Sequence, residues 1–204
     1  MLKKNLRATV KNLIKQIDKT ATVHDTLIDH VLEEVVNQVY FEIHAQSPRT
    51  LGQYTKKYTA QTISAGGTAS RYYHTLTVAL VPLPDKRGGV RSIVSSADTD
   101  MYFAPVTDQE LMLMEETVAD DLIVTTPAII YYAVHPTTVE FKNMTTTVAG
   151  GTLTLDLLVA FTSLLDTDEV PLPYGKNADI VKMALELLGV IPPKDLLDNN
   201  SDLK

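Results

Sequence analysis

"GGTLTLDLLVAFTSLLDTDEVPLPYGKNADIVKMALELL" runs from Gly150 to Leu188. Two periods meet inside it. Leu153, Leu155, Leu157, Val159 and Phe161 alternate with Thr152, Thr154 and Asp156, which predicts a strand with one buried face. Ile180, Met183, Ala184, Leu187 and Leu188 then recur at helical steps, which predicts a closing helix ended by Gly189. Between them stand the acids Asp166, Asp168 and Glu169 and the run Pro171-Leu172-Pro173. Proline fixes φ and biases the preceding residue away from helix, so this exit is extended. A strand and a helix separated by such punctuation belong to an α+β chain.

Working outward, residues 2–18 predict a first helix. Leu6, Val10, Leu13, Ile14 and Ile17 make one apolar stripe, and Lys4, Arg7, Lys11 and Lys15 make a basic one. Residues 25–44 predict a second helix with Leu27, Ile28, Val31, Leu32, Val35, Val36, Val39, Tyr40 and Ile43 on one side. Thr22 or Asp25 suits its start, and Ser47-Pro48 stops it. Its β-branched residues are weak helix formers, so packing has to hold it.

From about residue 53 the period shortens to two. Tyr54–Ile63 is polar and Thr-rich, the pattern of an edge strand. Leu76, Val78 and Leu80 alternate with threonines and predict a half-buried strand, with Val90–Ser96 as the second arm of its hairpin. The segment Pro82–Gly89 reads as the loop between them. Thr107-Asp108-Gln109-Glu110 is a capping box ahead of a short helix to about Glu116. Ala128–Val134 and Val139–Phe141 predict strands on either side of a turn at His135-Pro136.

The architecture expected is therefore α+β: an antiparallel β-rich body, two N-terminal helices, one short inserted helix and a C-terminal helix. The boundaries fall at 1–48 for the helical segment, 49–191 for the body with its closing helix, and 192–204 for a polar tail. Residues 1–20 and 190–204 are expected to order on docking.

Composition bounds the chemistry. The chain has 204 residues, 45% hydrophobic and 21% charged, enough for a core and unlike a disordered segment. It has no cysteine, which removes disulfides, zinc-thiolate sites and thiol nucleophiles. No apolar run reaches the roughly 18 residues that span a bilayer, and the basic start lacks the continuous apolar core of a secretory signal. The net charge of −7 is uneven: residues 1–19 carry six cations against Asp18, a local +5, which leaves −12 for the remainder. Such a body does not suit wholesale nucleic-acid binding, while the basic end suits a phosphate backbone or an acidic neighbour.

Motifs for catalysis are missing from the sequence. It has no G-x-S-x-G, H-E-x-x-H, phosphate loop or G-x-G-x-x-G. His24, His30, His44, His74 and His135 lie in no ligand spacing stronger than the pair His30 and Glu34, which a solvated helix face explains as well. Asp166, Asp168 and Glu169 are too few and wrongly spaced for a calcium loop. Tyr72-Tyr73 and Tyr131-Tyr132 each send one ring to either face of a strand, one for the core and one for an interface. No catalytic, cofactor or metal residue is assigned, and a binding or assembly role follows.

Four passages carry a resemblance. "RYYHTLTVALVPLPDKRGGVRSIV" (71–94), "MYFAPVTDQELMLM" (101–114), "PAIIYYAVHPTTVEF" (127–141) and "DTDEVPLPYGKNADIVKMALELL" (166–188) resemble ring or neck proteins from the head-to-tail region of crAss-like podoviruses, tailed-phage virion structural proteins. The likeness lies in a strand, Pro-rich loop and strand, a strand before a capped helix, a hairpin, and a D-[DE]-x-P-x-P exit into a closing helix. It implies a non-enzymatic protein of the virion, assembled in host cytoplasm, with no cofactor, membrane or small-molecule substrate. Its copies would form a homo-oligomeric ring, twelve-fold by analogy with portals, contacting the portal and other tail or neck proteins. Double-stranded DNA would pass through the lumen during ejection without specific binding. Candidate partner or DNA contacts are Lys4, Arg7, Lys11, Lys15, Lys86 and Arg87. Rival readings are a tail or fibre adhesion module, an unrecognised hydrolase, and a DNA-binding regulator using the N-terminal helices.

Overall fold

α1 (Lys3–Ile17) starts at Leu2, whose side chain makes no cap. Its first amides are satisfied from a distance in sequence: Lys3 N–H donates to the Asp168 carbonyl (2.9 Å) and Lys4 N–H to the Asp166 carbonyl (3.3 Å). The acidic turn after the clearest strand is thus the dock for the first helix, whose orphan N–H groups need acceptors. Leu2 bridges to Glu169, and Val170 N–H donates to the Met1 carbonyl.

The computed structural model describes residues 1–66, 71–117, 129–144 and 146–191, with the backbone alone at 114–117 and 146. The tail expected at 192–204 lies outside the described residues, as does Ala128 of the expected strand.

Two compact units divide the chain, Met1–Gln46 with the segment from Ala160 onward, and Ser47–Val159. The first division falls between Gln46 and Ser47, where the sequence-based boundary was set after residue 48, and the chain from Ala160 through the closing helix groups with the helical unit rather than with the β-rich body.

In the helical unit, α1 packs with α2 (Asp25–Gln46) and α5 (Lys176–Leu187). α1 buries Leu6, Val10 and Ile14 as its stripe requires, while Ile17 stays exposed. α2 buries Ile28, Leu32, Val35, Val36, Val39 and Tyr40. Each fully buried aliphatic side chain contributes about 1.5–3 kcal/mol, which offsets the poor helix propensity of the valines. Tyr40 donates its hydroxyl to the Pro171 carbonyl (2.8 Å), so the Pro-Leu-Pro exit is pinned against α2. α5 ends with Gly189 at φ 68° and amides of Leu188, Gly189 and Val190 folding back on Ala184, Glu186 and Leu185.

The β-rich unit holds two sheets. β1 (Lys56–Thr62), β8 (Thr152–Leu157) and β4 (Val90–Ser95) run in the order β1-β8-β4. β2 (Ser64–Ala65), β3 (Arg71–Thr75), β7 (Thr138–Lys142), β6 (Ile129–Val134) and β5 (Tyr102–Pro105) run in the order β2-β3-β7-β6-β5. Among the described residues every strand pairing is antiparallel except β5 with β6, so the α+β class with an antiparallel-rich body holds. Alternation in β8 is as read: Leu153, Leu155 and Leu157 are buried, and the intervening residues are not. β1 is an edge strand as expected, bulged between Tyr58 and Gln61, where Ala60 takes φ 55°. β6 and β7 form the expected hairpin, closed by His135 N–H on the Thr138 carbonyl. The inserted helix α3 (Asp108–Thr117) follows the capping box, and a four-residue α4 (Thr146–Ala149) that sequence did not indicate precedes β8.

One expected hairpin is corrected. β3 stops at Thr75, and of the segment beyond it only Leu80 makes a bridge, to Val159. β4 pairs instead with β8. The reason is burial: the leucine face of β8 offers three sealed side chains, whereas Val78 and Leu80 remain partly exposed.

Candidate functional site

The six cations singled out by sequence occupy two places. Arg7 sits on the α1 face turned toward α2 and the acidic turn. Its Nε and Nη2 donate to the two carboxylate oxygens of Asp29, both at 2.6 Å, and Nη2 and Nη1 reach Asp166 at 3.0 and 3.4 Å. The bond to Asp29 holds the guanidinium above its ordinary pKa, against the opposing effect of burial. Lys11 pairs with Asp25 at 2.7 Å and holds that carboxyl below its usual range. Lys4 and Lys15 are exposed. Lys11 and Lys15 border a cleft of about 340 Å³ with His24 and Asp25, where the turn between α1 and α2 leaves a gap.

Sequence reasoning passed over Lys3. It is 4% exposed, and its ammonium donates to the Thr162 (3.1 Å) and Leu164 (2.9 Å) carbonyls, lies 3.7 Å from Asp29 and sits over the Phe161 ring. A buried lysine is tolerated when its donors are all used. The position was legible, since Lys3 precedes Leu6, Val10 and Ile14 on the same stripe; only its charge argued for solvent.

Lys86 and Arg87 lie in the loop between β3 and β4. Lys86 is held by both carboxylate oxygens of Glu110 at 2.5 and 2.8 Å. Glu110 in turn accepts from Thr107 N–H (2.8 Å), and Thr107 Oγ1 accepts from Glu110 N–H (3.3 Å), the reciprocal pair of a capping box. Lys86 first, then Thr107, lowers the Glu110 carboxyl to about 2. Arg87 is exposed. The rest of the loop is locked by Arg91, which grips Asp85 at 2.9 and 3.2 Å and the Gly88 carbonyl. Arg91 is the extra residue of a bulge in β4, and the bulge turns it toward the loop.

Of the six, therefore, Arg7, Lys11 and Lys86 are engaged by acids of this chain, and Lys4, Lys15 and Arg87 face outward. Net attraction to phosphate counts unneutralised cations, so three outward cations on an acidic chain make a weak electrostatic footprint.

The histidines are dispersed. His24 and His30 are exposed on the helical unit, and His74 is buried on β3 with Nδ1 2.9 Å from the Thr62 carbonyl. His135 stands between Asp108 and Glu140 at 3.5 and 3.4 Å. Among the described residues no group of three or more His, Asp or Glu is placed to hold a metal, and no helix is long and apolar enough to cross a membrane. Of the tyrosine pairs, Tyr132 is core and Tyr131 half-buried, while Tyr73 is exposed and Tyr72 half-buried.

Apolar side chains are exposed on β5, on β6 and on the helix that follows β5. β5 bonds to β6 on one side and has no strand on the other among the described residues. Tyr102 on β5 is 59% exposed and lies in register with Ile129, itself exposed. Met112 and Leu113 on the following helix are each 61% exposed. A strand edge with no neighbour among the described residues and an exposed aromatic side chain is a setting for added strands or partner contacts.

Comparison with protein-family models finds no match, and a search of curated proteins finds none either.

Proposed function

We propose that this chain is a non-enzymatic virion structural protein whose copies close into a ring in the head-to-tail connector of a tailed phage, joining portal to tail around the DNA passage. Support comes first from the resemblance of residues 71–188 to ring and neck proteins. The observation that carries the assembly role is that β5 has a strand on one side alone among the described residues, with Tyr102 exposed on it and Ile129 exposed in register beside it. A closed ring needs two different patches on each subunit that meet head to tail, and an open edge is one such patch. The charge balance agrees with a lumen that DNA traverses without sticking: Arg7, Lys11 and Lys86 are neutralised within the chain, and the chain as a whole is at −7.

The test is the subunit count, by native mass spectrometry with averaged electron-microscope images of the purified protein. A closed ring with a central hole, lost in Tyr102→Lys, is the expected outcome. A monomer at high concentration that also fails to join purified portal would overturn the proposal. Tight, salt-dependent binding of the free chain to duplex DNA would point instead to the regulator reading.

A further inference from the structure

The β-rich unit presents two strand edges of opposite charge. Among the described residues β5 pairs with β6 alone and β1 with β8 alone. Val106 N–H donates to the Tyr132 carbonyl on the β6 side, so by alternation Phe103 turns its N–H and C=O away from β6. Pro105 beside it has no N–H, as suits an outer strand. The chain around β5 is acidic: residues 95–110 hold Asp98, Asp100, Asp108 and Glu110 and no cation. Glu110 is held by Lys86 and Asp108 faces His135, but Asp100 is exposed and has no ion pair among the described residues. The chain around β1 is the reverse: residues 47–66 hold Arg49, Lys56 and Lys57 and no acid. Lys57 is exposed and likewise has no ion pair among the described residues.

We infer that β1 of a second copy docks along the outer edge of β5, parallel to it, with Lys57 of one copy against Asp100 of the next. The inference rests on the ring reading for closure, and it names the second patch that such a ring needs. Within one chain β1 and β5 lie in different sheets and do not pair. Charge chooses the occupant. Each copy carries both the acidic and the basic edge, so one contact repeats head to tail from subunit to subunit. Lysine on an outer strand discourages indiscriminate pairing. An acidic partner edge removes that obstacle and so selects among strands. Charge also chooses the direction. Asp98 and Asp100 lead into β5, and Lys57 stands near the start of β1, so a parallel alignment brings them together. An antiparallel one would set Lys57 toward Pro105 and toward Asp108, which His135 already faces. The bulge after Tyr58 confines regular pairing to the first residues of β1, which fits the four-residue length of β5.

Replacing Tyr102 by p-benzoylphenylalanine in the full chain places a photo-crosslinker on β5, and mixing isotope-light with isotope-heavy chain marks the links that join two copies. Mass spectrometry of the digest is expected to place those links on residues 56–62, the span of β1. Lys57→Glu and Asp100→Lys should each lower the yield several-fold. Both changes in one chain should restore it, because the exchanged charges meet again across the contact. Links between copies that fall elsewhere would overturn the inference. So would the lack of any such link with purified portal present and absent, or a loss that the double exchange does not restore. A closed ring whose links fall elsewhere overturns this contact and leaves the ring reading standing. Links to β1 in open filaments support the contact and overturn ring closure.

Discussion

Arg7 and Asp29 meet through two parallel hydrogen bonds of 2.6 Å, and their side chains are 17% and 16% exposed. Bidentate guanidinium–carboxylate pairs in partly desolvated settings are among the stronger polar contacts. Asp29 also faces Lys3 at 3.7 Å, so removing its charge weakens the hold on two cations, leaving Arg7 with Asp166 and Lys3 with the Thr162 and Leu164 carbonyls. Asp29→Asn is expected to lower unfolding free energy by about 1–3 kcal/mol in urea titrations. A double-mutant cycle with Arg7→Gln should return a coupling of at least about 0.5 kcal/mol; additivity of the two changes would show that the pair is not a unit.

Glu110 binds Lys86 and caps α3, and its carboxyl is lowered to about 2. A lowered carboxyl contributes stability that is complete above the ordinary glutamate range and is lost as pH falls toward that value. The inserted helix should therefore loosen in acid between about pH 4 and pH 2. Side-chain NMR titration checks the midpoint, and Glu110→Gln should flatten this part of the acid limb. An ordinary glutamate midpoint would count against the bridge to Lys86.

Tyr132 is buried in the five-stranded sheet and packs near Phe141, with ring centroids 6.5 Å apart. Burial raises its phenol to about 12. The unfolded chain ionises near pH 10, so it binds fewer protons than the native state above that point, and stability falls as pH rises from 10 to 12. The loss is on the order of 2 kcal/mol. Tyr132→Phe should remove it, as read by denaturation at stepped alkaline pH.

Gly89 closes the loop between β3 and β4. A Cβ there would lie 2.7 Å from Leu80 Cβ and 2.9 Å from the Leu158 carbonyl oxygen. The second neighbour is backbone, held by Val81 N–H at 3.0 Å, so it cannot swing aside. Gly89→Ala is expected to cost about 1–3 kcal/mol, the usual range for overpacking. Gly52, with nothing within 4 Å, serves as the control and should tolerate alanine.

Elements defined by contacts within a few residues were legible in the sequence. The leucine alternation of β8, the valine stripe of α2, the capping box at Thr107 and Glu110, and the glycine stop of α5 each depend on spacing alone. The candidate cations were legible as residues but not as a site. Nothing local distinguishes Arg7, held by Asp29 and Asp166, from Lys15, which faces outward. The buried Lys3 was hidden by its own charge, because its acceptors at Thr162 and Leu164 stand far along the chain.

The sequence by itself determined the places of α1, α2, α5, β8 and the β6–β7 hairpin, since hydrophobic period and end caps act over one or two turns, while it set a strand at Leu76–Leu80 where none forms and gave no sign of α4. Tertiary structure decided the partners. β4 passed over the segment next to it for β8, because a long loop closes at modest entropic cost and a sealed apolar face more than offsets it. The acidic turn Asp166–Glu169 became the cap of α1 because that helix begins without a side-chain cap, and its orphan amides accept whichever carbonyls packing brings within reach.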